Sequence, residues 1–507
     1  MTNIKRISLS IIFGIYILIL LAMVVKGDKG NPIYYQNELD TKFGGVYESS
    51  NGNSRFALTR AIVEDRTVFF NTELARFSAP DLVYYNRKFF SIFLPGVSLL
   101  SAPFYFIGKL FGMPQLFTYL FTTLLALFNV FLVSAIAKKI GATRFSSFFS
   151  GLAFLFATNA LAYSQTMTQH HLSTSIILLA LLNSTYERSF FKNLWLGVVV
   201  GIGILVDIPN IIMLTPIMIT ILWKHFSVIR SNLKFTVSVK PILLGIIIGI
   251  IPLLTVFSWY NFQTTGSYHK IGQFIGRSNF PPPLNPPKKK DNQETKLSKY
   301  ESGLALNTRN LLQGLYILIL SNERGIFYYS PVVILGLLGL ILKYQQSKSK
   351  EFIITSIGII SMAILTYSMF DDPWGGWSFG PRYMIPAISI LCVFISTSVD
   401  RFYRNFVFTL FVFLLLGYSI FVNSLGVFTT TAVPPKQEAE NLVTPIPYTY
   451  EYNKKIITSN KNSSLLYNLF LREKISSANY LVIFIGAVGG LFSLLYILSI
   501  LKIADNK

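Results

Sequence analysis

Around residue 370 the chain reads Phe370-Asp-Asp-Pro-Trp-Gly-Gly-Trp-Ser-Phe-Gly-Pro-Arg-Tyr-Met-Ile-Pro386. Paired carboxylates (Asp371, Asp372) and two tryptophans (Trp374, Trp377) precede an apolar run that opens with Arg382 and Tyr383. Tryptophan and tyrosine at such an edge fit an interfacial belt. A belt does not account for the arginine. A guanidinium there can grip a phosphate through two parallel hydrogen bonds, or form a structural pair with Asp371 or Asp372.

Other residues with chemical potential lie earlier. A polar stretch before residue 115 holds Glu48 and Asp81, with Asp40, Glu64 and Asp65 as further carboxylates. A carboxylate can take the proton from a hydroxyl that must become a nucleophile, although most loop carboxylates only face water. Arg55-Phe-Ala-Leu-Thr-Arg-Ala-Ile-Val-Glu-Asp65 reads as a short amphipathic helix capped by Ser54 or Asn53. Leu58, Ala61 and Ile62 share one side and Arg55 and Thr59 another, which suits a helix lying on a membrane surface. Arg55 and Arg60 could contact phosphate or merely solvent and lipid headgroups. His170 and His171 open an apolar run, and Asp207 closes one before Ile208 and Pro209. The histidines could contact an acceptor or a phosphate, or be satisfied by water and backbone. No further ligands stand at zinc spacing. No cofactor is expected, and a divalent metal stays open.

The elements that must position these residues are membrane helices. Of 507 residues 52% are hydrophobic and only 13% charged. A soluble chain is nearer one quarter charged, and a core of this size could not hide so much apolar surface. The same figures exclude intrinsic disorder. The net charge of +21 reads as membrane anchoring and anionic lipid or phosphate partners, not nucleic acid. A single cysteine, Cys392, leaves no intrachain disulfide. Apolar stretches near 7–26, 116–137, 145–163, 170–186, 193–207, 209–223, 240–261, 326–342, 352–370, 383–399, 405–425 and 479–501 predict an all-α polytopic protein of about 12 (11–13) spans.

The stretch 91–111, broken by Pro95, Gly96 and Pro103, is ambiguous. If it does not span, Lys5, Lys138, Lys139, Arg144, Lys192, Lys343, Arg401, Arg404 and Lys502 all fall on one side, which the positive-inside rule makes cytoplasmic. We therefore read it as re-entrant or interfacial, with both termini inside. Long loops at about 27–115, 263–325 and 426–478 then lie outside with the candidate chemistry. Residues 280–291 are a Pro- and Lys-rich insert of solvated character. The organisation expected is a catalytic membrane module over 1–425 and an external loop plus last helix over 426–507.

Several blocks together carry a resemblance. They are Ser54–Glu64, Tyr84–Ser91 with Leu94-Pro-Gly96, Gly314-Leu-Tyr316 with Arg324–Pro331, Asp207-Ile-Pro-Asn210, and above all Asp372-Pro-Trp-Gly-Gly-Trp-Ser-Phe-Gly-Pro-Arg-Tyr383. Their order resembles the GT-C superfamily of integral-membrane glycosyltransferases, in particular the ArnT, protein-mannosyltransferase and RgtA–D-like members (glycosyltransferase family 39-like). The resemblance implies interfacial helices in the first external loop. It also implies transfer of a sugar from a polyprenyl-phosphate donor to a glycan, lipid or protein acceptor at the outer face of the cell membrane, usually with inversion. A first-loop carboxylate would be the base. The acidic pair that often precedes the first interfacial helix is replaced here by Gly52-Asn53-Ser54, so the base must be another carboxylate: Asp81 or Glu48. Arg382, with Arg55 and Arg60, would hold the donor phosphate. Tyr84, Tyr85, Asn86, His170, His171, Asp207, Asp371, Asp372, Trp374, Trp377 and Tyr383 would line the substrates. A glycan polymerase or ligase, a flippase, and a degenerate GT-C-like protein are the alternatives. A flippase needs a polar path, and the span interiors are almost free of charge.

Overall fold

The structure, a computed structural model, describes residues 3–27, 44–187, 189–231, 234–239, 243–281, 306–347 and 350–504. Asp40 and most of the Pro-rich insert lie outside the described residues. The chain opens with α1 (Asn3–Val24). The first long loop folds into α2 (Ser50–Arg60), a π turn, α3 (Thr72–Ser78), the hairpin β1 (Leu82–Tyr85) and β2 (Lys88–Ser91), and α4 (Gly96–Leu110). The bundle follows as α5 (Pro114–Lys139), α6 (Arg144–Phe156), α7 (Ala160–Tyr163), α8 (His170–Ser184), α9 (Phe190–Val206) and α10 (Pro209–His225). A hairpin of β3 (Phe226–Ser231) and β4 (Lys234–Val239) leads to α11 (Leu244–Thr265). Then come α12 (Leu311–Ile319), α13 (Ile326–Tyr329), α14 (Val333–Gln346), α15 (Glu351–Ser368), α16 (Ile385–Phe402) and α17 (Phe406–Phe428). Short α18 (Lys436–Glu440) and α19 (Glu451–Thr458) precede α20 (Ser477–Ala504).

The burial pattern is that of a protein in lipid. In α11 the outward residues are Ile247, Ile248, Ile251 and Leu254, whereas Gly245 and Gly249 face its neighbour. A Cβ on Gly249 would stand 2.2 Å from the Leu194 carbonyl oxygen, and one on Gly197 2.2 Å from that of Ile246. Backbone contact through small residues is how helices associate where lipid is as apolar as leucine. The central α16 is buried along its length and carries Ser389, Ser396 and Ser398 inside. Among the described residues six helices are long and apolar enough to cross a membrane, and six further apolar helices are shorter. The protein is thus a multi-pass helical membrane protein.

Two expected spans are not continuous. The stretch 145–163 breaks after Phe156, and 326–342 breaks at Ser330-Pro331. Thr158, Asn159 and Ser330 at the breaks are fully buried in protein, the setting in which irregular backbone is tolerated at membrane depth.

The basic turns gather at one end. Thr143 bonds Asp400, the Lys343 ammonium donates to the Ile140 carbonyl, and Lys139 sits 4.5 Å over the Tyr186 ring. At the other end lie the last residues of α1, α9 and α15 and the first of α8 and α16. Helix α4 belongs wholly to this second end. Its start, Gly96, lies against Leu205 and Val206, and its Gly108 rests on Met113 and Phe117 of the following turn. It doubles back along the first turns of α5, with Phe104 5.0 Å from Phe121. Neither of its ends reaches the Lys138–Arg144 turn.

Candidate active site

The first loop corrects one expectation. Helix α2 starts at Ser50 with Ser49 as N-cap, so Asn53 and Ser54 lie inside it and cap nothing. It is also packed on all sides, not laid on a surface: Arg55 and Thr59 are buried. Ser98 donates to the Arg55 carbonyl, and the Ser54 and Ser91 hydroxyls bond each other. These small hydroxyls let α4 and β2 close over α2, which carries Arg55 inward.

Arg55 is the hub. Its guanidinium bonds Asn51 and lies 3.9 Å over the Phe93 ring, yet its Nε is buried without a hydrogen-bond partner. Burial pulls it down to about 10, while Asp207 and Asp81 pull the other way; the Arg382 charge adds to the lowering. The charges of Asp207, Asp81 and Arg382 all act on it, and ring contacts join His170 to Tyr163 and to Tyr383 beside Arg382. Residues from the first loop, the α9–α10 turn and the start of α16 therefore converge. Asp207 is half-buried and accepts from Gln169 Nε2 at 3.1 Å; burial raises its carboxyl against the pull of Arg55.

Asp81 is 4% exposed. Its Oδ1 lies 2.8 Å from Arg277 Nε and its Oδ2 accepts from the Ser50 hydroxyl at 2.7 Å. Immediately after it the hairpin Leu82–Ser91 turns at Asn86-Arg87, both left-handed (φ 50 and 61), as a two-residue type I′ turn demands. Tyr84, Asn86 and Arg87 are exposed there, and Tyr85 accepts from the Lys270 ammonium at 3.0 Å. This places Tyr84, Tyr85 and Asn86 on the rim beside Asp81.

The Trp-Gly-Gly-Trp segment is a folded loop built on a buried arginine. Arg324 donates to the carbonyls of Trp374 (3.1 Å), Gly376 (3.2 Å), Val433 (2.8 Å) and Glu323 (2.7 Å). Gly375 and Gly376 are both left-handed, and a Cβ on Gly375 would stand 3.0 Å from the Tyr383 ring. Arg382 Nη2 donates to the Gly375 carbonyl at 2.7 Å, and its Nε is buried without a partner. Tyr383 stacks flat on Tyr367 (4.6 Å, 4°). Asp371 and Asp372 are exposed at the loop edge, with the Asp372 charge felt at Arg382. Trp377 is exposed and donates to Glu438 at 2.7 Å, while Trp374 Nε1 is buried without a partner.

The adjacent histidines part ways. His171 turns into the bundle, its Nε2 2.8 Å from the Ala160 carbonyl, with Asn129 bonded to its own carbonyl. His170 stays with the site, 5.3 Å from the Tyr163 ring and 6.1 Å from that of Tyr383. Arg60 is engaged elsewhere, 3.1 Å from Glu64 and 3.3 Å from Glu73. Burial opposes ionisation of Glu64, but the Tyr105 hydroxyl and Arg60 overcome it and hold the carboxyl low.

Glu48 is saturated. Gly44 N–H (2.8 Å), the Thr430 hydroxyl (2.5 Å), and the Thr431 N–H and hydroxyl (2.6 and 2.7 Å) all donate to it, and Lys26 lies 3.9 Å away. Burial lowers the Lys26 ammonium against the pull of Glu48. The pair ties the end of α1 to the end of α17. Glu48→Gln leaves that buried ammonium unpaired and should lower stability by about 3–5 kcal/mol, read as thermal unfolding of the solubilised protein. Loss of activity at unchanged stability would instead make Glu48 a reacting group.

Sequence reasoning singled out neither Arg277, the partner of Asp81, nor Arg324 as the anchor of the Trp loop. Arg277 follows Gly276 (φ 104) in an otherwise unremarked stretch, which is a weak signal. Among the described residues no group of three or more His, Cys, Asp or Glu could hold a metal ion.

No protein-family model and no curated protein sequence matches the chain. Solved structures do. ArnT from Cupriavidus metallidurans in the apo state is 13% identical over 97% of this chain and 77% of that one, with a TM-score of 0.49. With undecaprenyl phosphate bound, it is 14% identical over 96% and 76%, with a TM-score of 0.50. The oligosaccharyltransferase of Archaeoglobus fulgidus in the apo form is 10% identical over 87% of this chain and 60% of that one, at a TM-score of 0.49. The chain shares the fold of that undecaprenyl-phosphate-bound ArnT, a helical membrane bundle capped at one end by a folded first loop.

Proposed function

We propose that the protein transfers a sugar from a polyprenyl-phosphate donor to an acceptor hydroxyl at the external face of the cell membrane. One observation carries this reading. Arg55 and Arg382 sit within each other's field, each with a buried Nε that has no partner, and the carboxylates Asp81 and Asp207 share that field. Two such guanidinium groups suit a single phosphate, which meets both as a bidentate anion. The undecaprenyl phosphate held by the ArnT of like fold supports a lipid-linked donor.

The chemistry then runs as follows. Asp81 takes the proton of the acceptor hydroxyl, and the freed oxygen attacks the anomeric carbon. The bond from that carbon to the phosphate oxygen breaks as the new glycosidic bond forms on the opposite face, which inverts the centre. The lipid phosphate leaves with the bonding electrons, and Arg382 and Arg55 take up its growing charge. His170, Asp207, Gln169 and Tyr383 surround the reacting sugar, and Trp377 and the Tyr84–Asn86 tip form the outer wall.

Mass spectrometry of lipid-linked sugars and surface glycans, with and without the gene, tests this. Loss of the protein should build up one polyprenyl-phosphate sugar and remove one residue from one glycan. Unchanged profiles in both pools would overturn the reading.

A further inference from the structure

We infer that the protein has a second binding site, a cavity between the end of α1 and the chain 456–472, and that it takes a phosphate carrying a hydroxylated arm, of the glycerol phosphate kind. The cavity measures about 260 Å³. That is just below the usual small-molecule range of roughly 300–1,000 Å³, so it holds one small group and not a glycan chain. Lys26, Tyr47, Gln115 and Tyr119 line it and are buried, so they form its floor. Lys461 and Arg472 line it and are exposed, so they stand at its mouth. No residue assigned above to the donor phosphate, the acceptor or the base lines it.

Among the described residues that line the cavity three are cations and none is Asp or Glu. Lys26 is 1% exposed. Its ammonium has three hydrogens to donate, and among the described residues the Thr429 carbonyl takes one, at 3.3 Å. Glu48, at 3.9 Å, is beyond hydrogen-bond reach and already accepts four other bonds. A buried ammonium with donors to spare on the floor of a cavity calls for an anion. Cations at both floor and mouth suit a tetrahedral oxyanion, whose oxygens point several ways, better than a planar carboxylate. Gln115 is 5% exposed, and its Oε1 is buried without a partner. That oxygen can only accept, so the ligand also offers a hydroxyl. The walls are fixed in advance. Tyr119 donates to the Lys26 carbonyl (2.7 Å), Tyr47 to that of Gln115 (3.2 Å) and Asn468 to that of Gly27 (2.7 Å). Leu469 and Phe470, beside Arg472, turn 41% and 64% of their surface outward. Such side chains seat in a bilayer next to a basic residue. A phosphatidylglycerol headgroup is therefore one source of the ligand, and a free polyol phosphate is the other.

The test uses the full chain in a neutral detergent, with titration calorimetry as the readout. The probes are glycerol phosphate, inorganic phosphate, glycerol and a short-chain phosphatidylglycerol. Glycerol phosphate should bind about fivefold more tightly than inorganic phosphate, as one neutral hydrogen bond allows, and glycerol should not bind. Gln115→Leu should erase that preference and keep phosphate binding. Lys461→Gln combined with Arg472→Gln should weaken glycerol phosphate about tenfold, with the unfolding midpoint unchanged because both positions are exposed. Lys26→Met should abolish binding; it also removes a partner of Glu48 and can unfold the chain, so the variant at the mouth decides. Arg382→Ala should leave the affinity as it is, since that guanidinium belongs to the other site. Tighter binding of phosphatidylglycerol than of glycerol phosphate makes the ligand a lipid headgroup, the reverse order makes it a soluble polyol phosphate, and either supports the site. No binding of any phosphate, binding untouched by the mouth variant, a preference that survives Gln115→Leu, or an equal loss in Arg382→Ala would each overturn the inference. The transferase reading stands or falls separately, on sugar transfer.

Discussion

Asp81→Asn should reduce sugar transfer by about 10²–10⁴-fold in kcat, the range a positioned general base contributes. Asparagine keeps the shape of the side chain and can still accept from the Ser50 hydroxyl. It cannot take a proton at neutral pH, and it gives up the ion pair with Arg277. The fold should survive, because Arg277 reaches water and is not left buried. Thermal unfolding of the solubilised variant should therefore shift little while turnover collapses. Single-turnover transfer from a polyprenyl-phosphate sugar, measured beside the unfolding midpoint, reads both. Wild-type turnover in Asp81→Asn would remove Asp81 from the chemistry and return the role of base to Glu48, the other candidate.

Arg382→Ala should cost about 10²–10³-fold, the scale of removing one donor aimed at charge that develops in the transition state. Arg382 is held from two sides. The Gly375 carbonyl takes one Nη2 hydrogen at 2.7 Å, and the Tyr383–Tyr367 stack fixes the backbone that follows. Its Nε is buried without a hydrogen-bond partner, a donor that the proposed phosphate would satisfy. Arg382→Lys should recover little, since a point charge cannot serve the Gly375 carbonyl and a phosphate oxygen together. The assay is transfer at saturating donor, with polyprenyl-phosphate binding measured in parallel. Full activity of Arg382→Ala, with unchanged lipid-phosphate affinity, would sink the assignment.

Much of this was legible before any coordinates. Composition and the charge asymmetry of short loops were enough for a helical membrane bundle, and they pointed to 91–111 as a segment that does not cross. Glycines and tryptophans marked the loop before Arg382, because left-handed backbone and close approach restrict residue choice. What stayed hidden was contact between distant segments. The hydroxyl pair Ser54–Ser91 and the Ser98 bond that bury α2 have no local signature, so Arg55 read as a surface residue. Glu48 and Asp81 look alike in sequence; only the donors around them separate a carboxylate with every lone pair engaged from one with lone pairs to spare. The breaks at Phe156 and Ser330 were likewise missed: buried Thr158 and Asn159 interrupt the first without any proline or glycine, and the lone Pro331 at the second stands in a run that is otherwise apolar.

Helix α4 also shapes the surroundings of the site. It turns Leu100, Phe106, Ile107 and Leu110 outward at the end of the bundle that carries the candidate residues. An apolar flank of this kind is more favourable against hydrocarbon than against water, so the site end has an apolar outer wall around its polar interior.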